Sequence, residues 1–277
     1  MRGSAALAFL GAAVCAGAVA AGGALAANKI DWNECTAGKG ADAIAACTRI
    51  IDGKDETAKD RANAFFNRAG VREMENDPGG ALADYGEAIR LDPNTAGFYA
   101  ARGEALRRTG NPDKALEDLN AALKLDPKLK LAYLNRGHVF RAKSEPDKAI
   151  ADYNAAIRLD ASYASAYFNR GGTFEDKGER DRAIADYGLA IRHRPGYLAA
   201  YESRGSAYLR KNDLDRAIAD FSEAISINPA YGDIYVSRAG AYRAKGDKQK
   251  ALADLRKALE LGVKEAGDEI AKLGGTP

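Results

Sequence analysis

Histidine and cysteine are scarce in this 277-residue sequence, which holds two of the first and three of the second. No histidine lies near a cysteine, so a zinc-type ligand set cannot close. His138 and His193 are the only histidines, and neither is joined by a cysteine or a repeated carboxylate pattern into a nucleophile–base pair. Glycine-rich phosphate loops are missing as well. The residues therefore point to no enzyme, no metal, no cofactor and no small-molecule substrate. An excess of either charge is also lacking, with 41 Lys+Arg against 39 Asp+Glu. So even a balance excludes a general attraction to nucleic acid or to an anionic membrane. Partner recognition has to be local.

The first residues differ from the rest. Arg2 is followed by an uncharged run, Gly3 to Ala27, rich in Ala, Gly, Val and Leu. Ala24-Leu25-Ala26 supplies small residues where a signal peptidase reads, just after Gly22-Gly23. This is the layout of a secretory signal over 1–26, cleaved after Ala26, for a periplasmic or secreted protein. The competing reading is an uncleaved anchor, because the run is long enough to span a bilayer. Val14 before Cys15 breaks a lipobox. Cleavage would leave Cys35 and Cys47, an even pair that in an exported chain reads as a disulfide, with two buried thiols as the alternative.

From there the chain repeats. Ala81, Ala115, Ala149, Ala183, Ala217 and Ala251 recur every 34 residues, and so do Ala88, Ala122, Ala156, Ala190, Ala224 and Ala258. In the third copy Ala149, Ile150, Tyr153, Ala156 and Ile157 form the stripe of an amphipathic helix. Gly110, Gly178 and Gly246 suit a helix stop, where positive φ is wanted. Asp77-Pro78, Asn111-Pro112 and Glu145-Pro146 then suit the start of a second helix, with proline in its first turn. Gly103, Gly137, Gly171 and Gly205 are expected opposite the first alanine column, where two backbones come close. One such hairpin cannot bury its apolar face alone, so the stack is the folding unit.

Tyr167, Gly171, Phe174, Ala183, Tyr187, Ala190 and Pro195, and the same columns one repeat later, resemble the tetratricopeptide repeat family. The resemblance covers 62–263 as six copies: 62–95, 96–129, 130–163, 164–197, 198–231 and 232–263. Arg72, Ala161 and Val263 depart from its pattern. It implies an all-α fold, a right-handed superhelical stack (α-solenoid) of six helix-turn-helix hairpins that binds other proteins. Residues 27–61 read as a degenerate N-terminal helical cap, with four extra residues expected in 52–57. Residues 264–277 read as a short capping helix, Glu265 to Leu273, and a loose tail.

Two columns are unusual for that family. Position 7 is Arg68, Arg102, Arg136, Arg170, Arg204 and Arg238; position 23 is Asp84, Asp118, Asp152, Asp186, Asp220 and Asp254. Both lie at nearly the same height on antiparallel helices. A salt-bridge ladder follows, within hairpins or between them; the alternative is an arginine row that reads an acidic polymer.

In the family, first-helix positions 2, 5, 6, 9, 12 and 13 line the concave groove. Here position 6 offers Asn67, Asn135 and Asn169, interrupted by Ala101 and continued by Ser203 and Ser237. It resembles an asparagine ladder that bonds a peptide backbone; solvated side chains are the plain alternative. Arg107, Arg108, Arg141 and Arg210 supply positive charge that could grip a carboxylate, or belong to an ordinary mixed-sign surface, and Phe168 offers apolar contact. The expectation is a protein-binding scaffold of the bacterial envelope that holds a partner segment in this groove. Its rivals are a structural homo-oligomer built through the convex face or the ends, and a membrane-anchored subunit that recruits a separate enzyme.

Overall fold

The computed structural model describes residues 25–276. Among these there are fifteen α-helices and no strand. The expected leader lies outside the described residues apart from Leu25 and Ala26, where the first helix begins. No described helix is long and apolar enough to cross a membrane.

The helices pack as consecutive antiparallel pairs. A cap of α1 (Leu25–Ala37) and α2 (Gly40–Asp52) precedes six hairpins. These are α3 (Ala58–Met74) with α4 (Pro78–Leu91), α5 (Ala96–Arg108) with α6 (Pro112–Leu125), and α7 (Lys130–Ala142) with α8 (Pro146–Leu159). Then come α9 (Ala164–Asp176) with α10 (Arg180–His193), α11 (Leu198–Arg210) with α12 (Leu214–Ile227), and α13 (Gly232–Ala244) with α14 (Lys248–Glu260). The last helix, α15 (Glu265–Lys272), buries Ala266 and Ile270 against Tyr235, Leu255 and Ala258 of the sixth hairpin.

The repeated alanines are fully buried in both columns. Each core is shared between hairpins: Ala115, Leu119 and Ala122 pack with Ala132 and Val139 of the next one. The Cβ that residue 137 lacks would stand 2.5 Å from the Tyr153 ring, so only glycine lets the second helix lay that ring on the first. The close neighbour of this glycine column is thus the position-24 side chain (Leu119, Tyr153, Tyr187 or Phe221) rather than the alanine side chain.

Every hairpin turns through one residue of positive φ: Asn76, Gly110, Ser144, Gly178, Asn212 and Gly246. The amide after it bonds five residues back along the turn, as in Asn111 N–H to Leu106 O at 2.8 Å. Sequence reasoning found only the glycines of this column. It also overrated one cap, Asn111, whereas Glu145 is expected to cap poorly. Asp77 caps the Gly80 amide, but Asn111 and Glu145 make no side-chain cap, and the Asn111 amide bonds Thr109 instead.

Two end features differ from expectation. The four extra residues lie mainly in α3, 17 residues long against 13 for α5, because the Thr57–Asp60 capping box starts it a turn early. The C-terminal tail is tied down, with Gly275 N–H bonded to Ile270 O and the Arg256 guanidinium to Thr276 O. At the other end Cys35 and Cys47 form a disulfide that pins α1 to α2.

Candidate partner-binding surface

The six arginines and six aspartates meet one to one, each arginine reaching the aspartate sixteen residues on, in its own hairpin. All are bidentate, Nε and Nη2 donating to the two carboxylate oxygens at 2.7–2.8 Å. The aspartates are buried, and in the last four hairpins each guanidinium lies between aromatic rings three residues before and four after it. These arginines are occupied inside the fold, which leaves no row of them to read an acidic polymer. The third nitrogen, Nη1, crosses to the preceding hairpin, where Thr48, Asn120, Asn154 or Ser222 accepts. That column of acceptors was not recognised in the sequence.

First helices of neighbouring hairpins, such as α5 and α7 or α7 and α9, approach more closely than second helices do. The outer flank of the first helices, which carries the expected groove residues, is taken as the inner face. The groove arginines lie on this face but are charge-paired. Arg107 is bidentate on Glu104, Arg108 bonds Glu73 at 3.2 Å, Arg141 bonds Asp176 at 2.6 Å, and Arg210 bonds Glu175. Three of these bridges join position 12 of one repeat to position 13 of the next. They hold hairpins together, and the face is not the basic strip expected. A further exposed ladder, Lys143–Asp113, Lys177–Asp147, Lys211–Asp181 and Lys245–Asp215, links successive turns.

The asparagine ladder is also changed. Small residues Gly97, Ala100 and Ala101 on α5 let α7 come close, which buries Asn135 and turns its amide toward the Ala100 carbonyl at 3.5 Å. Asn169 donates back to Ser165 O of its own helix at 2.8 Å, while Asn67 stays half-buried. Phe168 packs between Tyr187 and Tyr197, with ring centroids at 5.8 and 4.9 Å, and so belongs largely to the seam.

Other inner-face groups stand out. Burial, and then the charge of Asp233, push the Glu202 carboxyl above its usual range. The equivalent position in the other repeats is Phe66, Ala100, Leu134, Phe168 or Val236. Burial also lowers His138 to about 4, so this imidazole is neutral near pH 7.

Residues 96–129, 173–232 and 202–266 match models described as tetratricopeptide repeat, and 137–178 matches one described as TPR repeat. The chain belongs to the tetratricopeptide repeat (TPR) family. Among solved TPR-like structures, MamA is 30% identical, over 60% of this chain and 96% of its own, with a TM-score of 0.52. A tetratricopeptide repeat protein of Parabacteroides merdae is 20% identical over 88% of this chain and 96% of its own, at 0.64. The pilF protein of Pseudomonas aeruginosa is 15% identical over 78% and 100%, at 0.67. The last two show likeness of fold alone. No curated protein matches the chain. TPR proteins are typically non-enzymatic scaffolds that bind protein or peptide partners, and this TPR stack has the same helical-hairpin build.

Proposed function

We propose that this TPR protein is an exported, non-enzymatic scaffold of the bacterial envelope that holds a segment of another protein along its inner face. One observation carries the reading. The framework columns are the same in all six repeats, whereas the inner-face columns change from copy to copy. Position 9 runs Gly70, Glu104, His138, Gly172, Ser206, Gly240, and position 12 runs Glu73, Arg107, Arg141, Glu175, Leu209, Arg243. A face that served only to stack hairpins would repeat as the framework does. The Cys35–Cys47 disulfide supports export, since such bonds persist outside the reducing cytosol.

The test is site-specific photo-crosslinking in intact cells, followed by mass spectrometry. Probes at Leu131, Ala199 and Ser206 on the inner face should capture one protein, and the mature chain should begin at Ala27. Capture only from probes on the outer edge would overturn the placement. Leu125, Leu159 and Ile227 favour that second reading, because they form an exposed apolar column at the ends of second helices, 38–40% accessible. Crosslinks from those positions to another copy of the chain would establish self-assembly instead.

A further inference from the structure

Past the sixth hairpin the inner face holds an open groove. The helix that follows, α15, has eight residues where α13 has thirteen. Beside it lies a cavity of about 270 Å³, open to solvent. Val236, Ala239 and Gly240 of α13, Leu255 of α14 and Leu273 after α15 give it an apolar lining. Arg243 and Glu269 also line it and bond each other at 2.8 Å. A cavity of about 150 Å³ already takes a benzene-sized group, so this one has room for a branched or aromatic side chain.

The charge next to this groove is unbalanced. At the inner-face positions Arg107 is paired with Glu104, Arg108 with Glu73, Arg141 with Asp176, Arg210 with Glu175, and Arg243 with Glu269. Two carboxylates are left over. Neither Glu202 nor Asp233 has a hydrogen-bond or ion-pair partner on its side chain among the described residues. Asp233 stands one turn before Val236 on α13, and Glu202 is on the neighbouring first helix, α11. The Asn135 amide on the Ala100 carbonyl shows that position 6 of one repeat lies against position 5 of the repeat before. Glu202 is such a position 5, and Asp233 sits one turn ahead of Ser237, the position 6 that faces it. The charge of Asp233 accordingly helps to raise the Glu202 carboxyl. Asp233 is exposed and Glu202 half-buried, so both are open to a cation. At the far end of the groove Lys272 joins Arg243 on Glu269, which leaves that end net positive.

We infer that the groove between α13 and α15 takes an apolar side chain of a bound protein segment whose lysine or arginine, two residues away, pairs with Glu202 and Asp233. From Asp233 to Ala239 the helix rises about 9 Å. Side chains on one face of an extended segment recur about every 7 Å, and a long basic side chain covers the rest. An acidic residue in its place meets two like charges. This rests on the inner-face reading above and gives the partner a chemistry, opposite in sign to the carboxylate that a row of arginines suggests.

The probe is the peptide acetyl-Gly-Lys-Gly-Leu-Gly-amide, followed through the Val236 and Leu273 methyl signals by 13C NMR. One control peptide has glutamate for its lysine, the other glycine for its leucine. The lysine–leucine peptide should shift both methyls and saturate, and each control should bind at least fivefold more weakly. Glu202→Gln with Asp233→Asn should weaken the first peptide at least threefold without lowering the melting temperature, because neither carboxylate has a partner to lose. Gly240→Leu should fill the groove and abolish the response at unchanged melting temperature, since an added Cβ there meets no atom within 4 Å. No methyl response, an equal response to either control, full binding by either variant, or a destabilised double variant would overturn the proposal. Inner-face crosslinks in cells without a peptide response would remove this groove and leave the scaffold reading. A peptide response without those crosslinks would do the reverse.

Discussion

Arg136 and Asp152 meet across the third hairpin through two parallel N–H···O contacts of 2.8 Å, one guanidinium edge against one carboxylate. Asp152 is 5% exposed, and the Arg136 side chain 22%. Removing one partner leaves the other charge with little water to replace it. We expect Asp152→Ala to cost about 2–4 kcal/mol in urea unfolding, toward the lower end because the arginine is partly solvated. Replacing both residues with apolar ones, Arg136→Met with Asp152→Leu, should cost less than the single change. A double variant as unstable as Asp152→Ala would refute this.

Ser144 turns its hairpin at φ 59°, a conformation that glycine adopts at Gly110, Gly178 and Gly246. Ser144→Gly should therefore stabilise the chain by about 0.5–1 kcal/mol, the relief at positive φ outweighing glycine's greater freedom when unfolded. Thermal unfolding of the two proteins decides it. A lower midpoint for the variant would mean that the serine is not strained there.

The cap depends on its disulfide. Of the residues on α1 with described side chains, only Cys35 is buried. Its bond to Cys47 closes a separation of 12 residues. Reduction should lose about 2–3 kcal/mol of cap stability. In a solenoid that loss stays near the end. Amide hydrogen exchange should accelerate in α1 and α2 on adding reductant and stay unchanged in α11 to α14. Acceleration throughout would show that the stack unfolds as one unit.

His138 predicts a pH dependence. Its folded pKa, about 4, lies below the ordinary 6.5, so the unfolded chain takes up a proton that the folded chain refuses. The contribution is present above pH 6.5 and lost as pH falls from there toward 4, by at most about 3 kcal/mol. Glu73 and Glu202, raised by burial from 4.5, act with opposite sign from about pH 4.5 upward, inside the same window. The slope between pH 7 and 5 should flatten in His138→Asn. An identical slope in both proteins would count against a buried neutral imidazole.

The framework was legible in the sequence because a stack repeats its own solution. Alanine columns and the Arg–Asp spacing return every 34 residues and the glycine turns in every second copy, and one geometry explains all copies. The inner face was less legible because its contacts run diagonally between repeats. Nothing near Arg108 in sequence announces Glu73, and a row of arginines looks basic until their partners are placed. Asn135 was misjudged because its burial is set by Ala100 and Ala101 on another helix.

The third arginine nitrogen joins each hairpin to the one before it, except where that column is glycine, at Gly86 and Gly188. There Arg102 and Arg204 have no side chain to reach. Across these same two joints run the bridges Glu73–Arg108 and Glu175–Arg210, whose arginines are 34% and 48% exposed and open to screening by salt. These two joints therefore carry one side-chain hydrogen bond fewer between hairpins, and salt weakens the ion pair that crosses each of them.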